Sequence, residues 1–186
     1  MDKGGAWSGG AWVRELEEAS NDFREDNRLG DGASDVVYRG IIDNRQATIK
    51  RLRIDETRFV ESKWQFDAEV LTIRRAKHPN IVGFIGFCAE GNRRLVVYED
   101  MALGSMDNLL MKIDVGAAKG LAYFHSQMTP PMIFRDMKSA NILLGEGYKP
   151  KLSGFGNAID GPLGDQTYIT TRDAMGTRGY IASKYQ

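Results

Sequence analysis

The sequence predicts an α+β protein built as two lobes: a small lobe of antiparallel strands with one helix, and a second, mostly helical lobe. Three observations carry this. Short strand-like runs separated by Gly, Asn and Asp turns recur between residues 28 and 99. One helical repeat, Phe66, Glu69, Val70 and Ile73, interrupts them. Beyond residue 104 the periodic segment is helical, 111–125, and is followed by a polar loop that enters the apolar run Ile142-Leu143-Leu144.

Residues 1–11 are glycine-rich and read as a flexible leader. The spacing of Val13, Leu16, Ala19, Ser20 and Phe23 predicts a short amphipathic helix from Trp12 to Phe23. Arg28 to Gly40 reads as strand, turn with Gly30 and Gly32, strand, and the turn Asp43-Asn44-Arg45 leads into a strand over Gln46–Leu52. In the helix that follows, Glu69 falls on the apolar face, where a carboxylate needs a partner; Lys50, beside Ala47 and Ile49 on a strand, needs one too. Pro79 disfavours helical geometry at His78, so that histidine reads as a turn residue and not as a metal ligand. Two strands joined by Glu90-Gly91-Asn92-Arg93 complete the small lobe at residues 12–103, leaving 104–186 for the second lobe.

Twenty-five basic and twenty-five acidic residues cancel to zero formal charge, which gives no reason to expect nucleic acid as a partner. The single cysteine, Cys88, excludes an internal disulfide and reads as a core residue in a reducing compartment. No apolar run is long enough for a transmembrane segment, the N-terminus lacks a signal-peptide layout, and Asp2 stands where a myristoylation signal needs Gly. A cytoplasmic protein is expected, reaching the inner face of the plasma membrane only through partners.

The chemistry is concentrated in Phe134-Arg135-Asp136-Met137-Lys138-Ser139-Ala140-Asn141. An Asp can accept the proton of an attacking hydroxyl, a Lys two residues on can balance charge on a moving phosphoryl group, and an Asn five residues on can hold a divalent metal. A surface loop carrying these residues by chance is the bland alternative. The stretch resembles the protein-kinase catalytic loop H-R-D-L-x-x-x-N, with Phe134 for the His and Met137 for the Leu. Further partial motifs follow the order of that family. Gly30, Gly32 and Val37 match G-x-G-x-x-G-x-V, with Asp35 in place of the third glycine; Gln46–Leu52 corresponds to V-A-I-K. Leu95-Val96-Val97-Tyr98-Glu99-Asp100-Met101, with Gly104-Ser105, is similar to the hinge of plant receptor-like cytoplasmic kinases.

The resemblance implies a protein-kinase-like fold over roughly residues 12–185, including an incomplete, mostly helical large lobe at 104–186, with Asp136, Lys138 and Asn141 catalytic and Asn141 also a metal ligand. It places Gly30, Gly32, Val37, Ala47, Lys50, Glu69, Glu99, Met101 and Leu143 around ATP: Lys50 on the phosphates, oriented by Glu69, and backbone groups of Glu99 and Met101 on adenine. Thr167, Thr170 and Thr171, with Tyr168, fall where the family carries regulatory phosphates, and Arg135 is their implied partner. Three departures set the expected function. Gly154-Phe155-Gly156 replaces Asp-Phe-Gly, removing a metal-binding carboxylate. Only Met106–Leu110 separates the hinge from the next helix. Ser183-Lys184 replaces the Pro and Glu of A-P-E, near the last residue, Gln186. The expectation is a signalling pseudokinase that binds ATP weakly or not at all, holds Mg²⁺ poorly, and acts as scaffold or decoy for other kinases or receptor complexes. A weakly active ATP-dependent serine/threonine kinase and a truncated product without function are the alternatives.

Overall fold

The computed structural model describes residues 10–54, 59–101, 103–105, 115–171 and 175–181. The predicted leader up to residue 9, the short connection at 106–110 and Ser183-Lys184 lie outside the described residues. The chain divides into two units, one holding residues up to Phe66 together with Gly83–Met101, the other Asp67–Val82 and the residues after Met101. The expected break near residue 103 is therefore not the whole division. Residues 67–82 join the second unit because Ile81 bridges Leu152, Val82 N–H donates to the Leu152 carbonyl, and Lys77 N–H donates to the Tyr123 hydroxyl.

In the first unit, helix α1 (Gly10–Ala19) begins inside the expected leader and ends before the expected Phe23. Asn21, Asp22 and Phe23 all have φ of 53–56°, so the chain leaves the helix through a left-handed turn. Ser20 ties that turn: its hydroxyl donates to the Leu16 carbonyl at 2.8 Å and accepts from the Phe23 N–H at 3.2 Å. Trp12, Val13 and Leu16 are buried against Ile42, Ala47, Ile49, Cys88, Leu95 and Val97. Each large apolar side chain so buried contributes about 1.5–3 kcal/mol. Burial also pushes the Cys88 thiol up, away from the reactive thiolate, in keeping with a core role.

The sheet is antiparallel, in the order β1-β2-β3-β5-β4, with β1 Arg28–Asp31, β2 Asp35–Ile42, β3 Arg45–Leu52, β4 Phe84–Glu90 and β5 Arg93–Glu99. These are the five predicted strands. Asp43 and Asn44 have φ of 49° and 58°, the pair of positive angles that a two-residue hairpin matched to strand twist requires. Strand alternation puts Ala47 and Ile49 toward α1 and sends Thr48 and Lys50 to the opposite face.

Helix α2 (Phe59–Arg75) runs from the first unit into the second, and Phe66, Glu69, Val70 and Ile73 are all buried, as their spacing predicts. In the second unit, α3 (Val115–Ser126) lies against the loop at Asn80 and strand β8 (Pro150–Leu152), which pairs with β7 (Ile142–Leu144). Glycines make that approach possible. A Cβ on Gly116 would sit 2.6 Å from Asn80 Nδ2 and Pro150 Cγ, and one on Gly120 would sit 2.7 Å from the Asn80 carbonyl. A second two-stranded ladder joins β6 (Met132–Ile133) to β9 (Ile159–Asp160). Among the described residues no helix is long and apolar enough to cross a membrane.

Candidate functional site

In the second unit the loop between β6 and β7 gathers the predicted catalytic residues around one carboxylate. Asp136 is 8% exposed. Asn141 Nδ2 donates to the Asp136 main-chain carbonyl at 2.8 Å and to its Oδ2 at 3.0 Å, while Lys138 Nζ lies 3.2 Å from Oδ2. The Lys138 carbonyl closes the turn, accepting from the Asn141 N–H at 3.0 Å. A fourth residue completes the group: the Thr177 hydroxyl donates to Asp136 Oδ1 at 2.6 Å and accepts from Lys138 Nζ at 2.7 Å. No role for Thr177 could be read from the sequence, because a partner 41 residues away leaves no local signal. A carboxylate held by an ammonium, a carboxamide and a hydroxyl is fixed in place and can accept a proton from a hydroxyl presented to it. His78 is the expected turn residue, its Nδ1 accepting from the Asn80 N–H at 3.1 Å.

Arg135 enters this loop with φ of 63° and donates from Nε to the Asn157 carbonyl at 2.7 Å. Desolvation pulls its guanidinium below the ordinary arginine value. Phe134 is buried and packs face to face with Phe124 at 6.2 Å; both rings meet Phe155 edge-on, at 5.7 and 5.4 Å. The aromatic that replaces the histidine thus belongs to a core of three phenylalanines.

Just before Phe155, Gly154 has φ of 77° and ψ of 53°, the left-handed region. A Cβ there would lie 2.5 Å from Asn141 Oδ1 and 2.9 Å from Asn141 Nδ2. The carboxamide of Asn141 therefore fills the space that a side chain at 154 would need. The main chain of Asn141 is also tied to this turn, its carbonyl accepting from Ser153 N–H at 2.9 Å. Among the described residues no three His, Cys, Asp or Glu side chains come together as a metal-binding group.

In the first unit, the predicted glycine turn is closed by Gly32 N–H donating to the Asp35 carbonyl at 2.9 Å. The Asp35 carboxylate lies 3.3 Å from Lys50 Nζ. Val37 stands directly opposite Lys50 across the β2–β3 ladder, and Gly30 pairs with Val37 across β1–β2. Ala47, expected at the nucleotide, is instead in the core under α1; the neighbour that shares the Lys50 face is Thr48. Glu99, at the end of β5, accepts the Gly83 N–H on Oε1 at 2.6 Å. Met101 is buried, and its N–H donates to the Thr48 hydroxyl at 3.3 Å. Glu69 and Leu143 belong to the second unit, Glu69 buried on α2 and Leu143 half-buried on β7 opposite Lys151.

The second unit also contains a cavity of about 860 Å³, whose walls include Leu121, Ile133, Arg135, Asp136, Thr170 and Thr171. Thr167, Tyr168, Thr170 and Thr171 are all exposed.

The description "Protein kinase domain" matches residues 23–185. Among curated proteins, the chain is similar to three from Arabidopsis thaliana. It is 46% identical to the probable serine/threonine-protein kinase PBL5 over 92% of this chain and 44% of that protein. It is 43% identical to the serine/threonine-protein kinase PBS1, over 92% of this chain and 41% of that protein, and 43% identical to the serine/threonine-protein kinase PBL27, over 92% and 36%. The chain spans less than half the length of these curated relatives.

Proposed function

The chain belongs to the protein kinase family, and from that premise we propose that it is a signalling pseudokinase domain, which binds ATP weakly and acts as scaffold or decoy for other kinases or receptor complexes in the cytoplasm. The observation that carries this reading is Gly154, where the motif's carboxylate is replaced by bare backbone and the nearby space is taken by the Asn141 carboxamide. The donor set does not fit Mg²⁺: Asn141 is neutral, and the one carboxylate beside it, Asp136, is engaged by Lys138, Thr177 and Asn141 itself. The loss of a bridging metal removes several kcal/mol of transition-state charge stabilisation, and three alone amount to on the order of a hundredfold in rate.

Weak nucleotide affinity has a second source in the first unit. Asp35 places a carboxylate against Lys50, the amine that the family resemblance assigns to the phosphates, so a triphosphate has to displace that contact and approach a like charge. The contrary reading, a weakly active serine/threonine kinase, draws on the intact Asp136, Lys138, Asn141 and Thr177 group and on the names of the relatives.

A thermal-shift titration separates the two. Saturable stabilisation by ATP is expected, about 1.4 kcal/mol at ten times the dissociation constant, or roughly 3–6 °C in a chain of this size. The shift is expected to be the same in Mg²⁺ and in EDTA, and to vanish in Lys50→Met. Strong Mg²⁺ dependence would instead support the active kinase, and no shift at all would remove ATP from the proposal.

Regulation through the segment 167–171 is part of the same reading. The exposed Thr170 and Thr171 share the cavity wall with Arg135, whose guanidinium can take a phosphate in a charge-assisted contact. Co-expression with an active relative is expected to phosphorylate Thr167, Thr170 or Thr171. Intact-mass and peptide mass spectrometry finding this segment unmodified would count against it.

A further inference from the structure

The Met101 N–H lies beyond the last rung of the β3–β5 ladder, which ends at Ala47 opposite Glu99, so no strand partner reaches it. It is nonetheless buried, Met101 being 3% exposed, and a buried N–H left unbonded costs free energy. The Thr48 hydroxyl supplies the acceptor, at 3.3 Å, from a residue that is itself 5% exposed. Counting back from Lys50, Thr48 stands at the alanine of V-A-I-K, and an alanine has no oxygen to offer.

We propose that Thr48 is a built-in competitor for the adenine base: its hydroxyl holds the backbone donor of Met101 that a nucleobase acceptor would otherwise take. The proposal rests on the reading of Met101 as an adenine contact. Adenine presents at its Watson–Crick edge an acceptor, N1, beside the donor amino group on C6, which complements a backbone N–H beside a backbone carbonyl. In this chain the N–H is already bonded, so binding exchanges one hydrogen bond for another and gains little. Remove the hydroxyl, and the same N–H becomes a buried orphan that only the ligand satisfies. A neutral hydrogen bond of ordinary strength corresponds to about a three- to tenfold change in affinity.

The test uses the whole chain with Thr48→Val, which keeps the branched shape, Thr48→Ala as a second deletion should the first fold poorly, and Thr48→Ser, which retains the hydroxyl. Amide hydrogen exchange at Met101 is measured without ligand. Binding of adenosine and of 1-deazaadenosine, which lacks the N1 acceptor, is measured by calorimetry. Loss of the hydroxyl is expected to speed exchange at Met101 and to tighten adenosine about three- to tenfold while leaving 1-deazaadenosine unchanged; Thr48→Ser behaves as the parent. Unchanged exchange overturns the proposal, and so does an equal gain for both nucleosides, which would report added space and not a freed donor. Failure of the underlying nucleotide reading looks different: exchange accelerates, yet neither nucleoside saturates any variant, and the competitor role is then refuted while the hydrogen bond stands.

Discussion

Gly154→Asp is expected to lower the melting temperature by about 4–16 °C in EDTA, although it restores the residue that the kinase motif calls for. Two costs add. The backbone at 154 has φ of 77° and ψ of 53°, which costs a residue with a Cβ about 1–2 kcal/mol. The new Cβ would also lie 2.5–2.9 Å from the Asn141 carboxamide. That carboxamide is the end of a short side chain, but two hydrogen bonds to Asp136 hold it, and turning it away loses about another 1–2 kcal/mol. At roughly 2–4 °C per kcal/mol the sum falls in the stated range. Gly154→Ala meets the same backbone and steric terms without the charge, so the two variants should melt close together in EDTA. With ATP and Mg²⁺ only the Asp variant should recover part of the loss, because only it adds a metal-binding carboxylate. A drop below about 1 °C in both variants would show that Asn141 yields freely, and that the space beside Gly154 is open to a side chain.

The architecture was largely legible, because strand alternation and glycine or asparagine turns are local signals: all five strands of the sheet and the buried face carrying Phe66, Glu69, Val70 and Ile73 stand where their spacing put them. The Asp136, Lys138 and Asn141 group was equally legible, since three residues within six positions are brought together by one turn. What could not be read had long-range causes. Thr177 reaches Asp136 across 41 positions. Ala47 was given to the nucleotide, whereas it is buried with α1 in the core, and Thr48, the residue at the alanine of V-A-I-K, shares the face of Lys50. The end of α1 at Ala19 was missed because the helix closes on a left-handed Asn21, φ 53°, with the Asp22 N–H donating to the Glu17 carbonyl and the Asn21 N–H to the Glu18 carbonyl, a stop that side-chain periodicity does not register and that no glycine marks.

Phe155→Ala is expected to cost about 3–5 kcal/mol, the larger of the two effects, because it deletes a ring with no exposure from the cluster formed with Phe124 and Phe134. Phe134 and Phe124 stack on each other 9° from parallel and both meet Phe155 edge-on, so its removal opens a cavity against two large buried rings. Phe155→Leu keeps most of the volume and should lose less than half as much. Phe134→His, which brings back the residue of the catalytic-loop motif, should cost about 1–3 kcal/mol by burying ring nitrogens among phenylalanines without a partner. Urea unfolding measures all three, with an unchanged slope identifying the effect as one on the folded state. The order Phe155→Ala, then Phe134→His and Phe155→Leu, ties the survival of Phe155 to packing. It explains how the Phe-Gly part of the motif persists on physical grounds after its carboxylate has gone: the ring anchors the turn that carries Gly154, whether or not a nucleotide is ever turned over. A loss under about 1 kcal/mol for Phe155→Ala would refute that account, since a ring so cheaply removed cannot be what holds the turn.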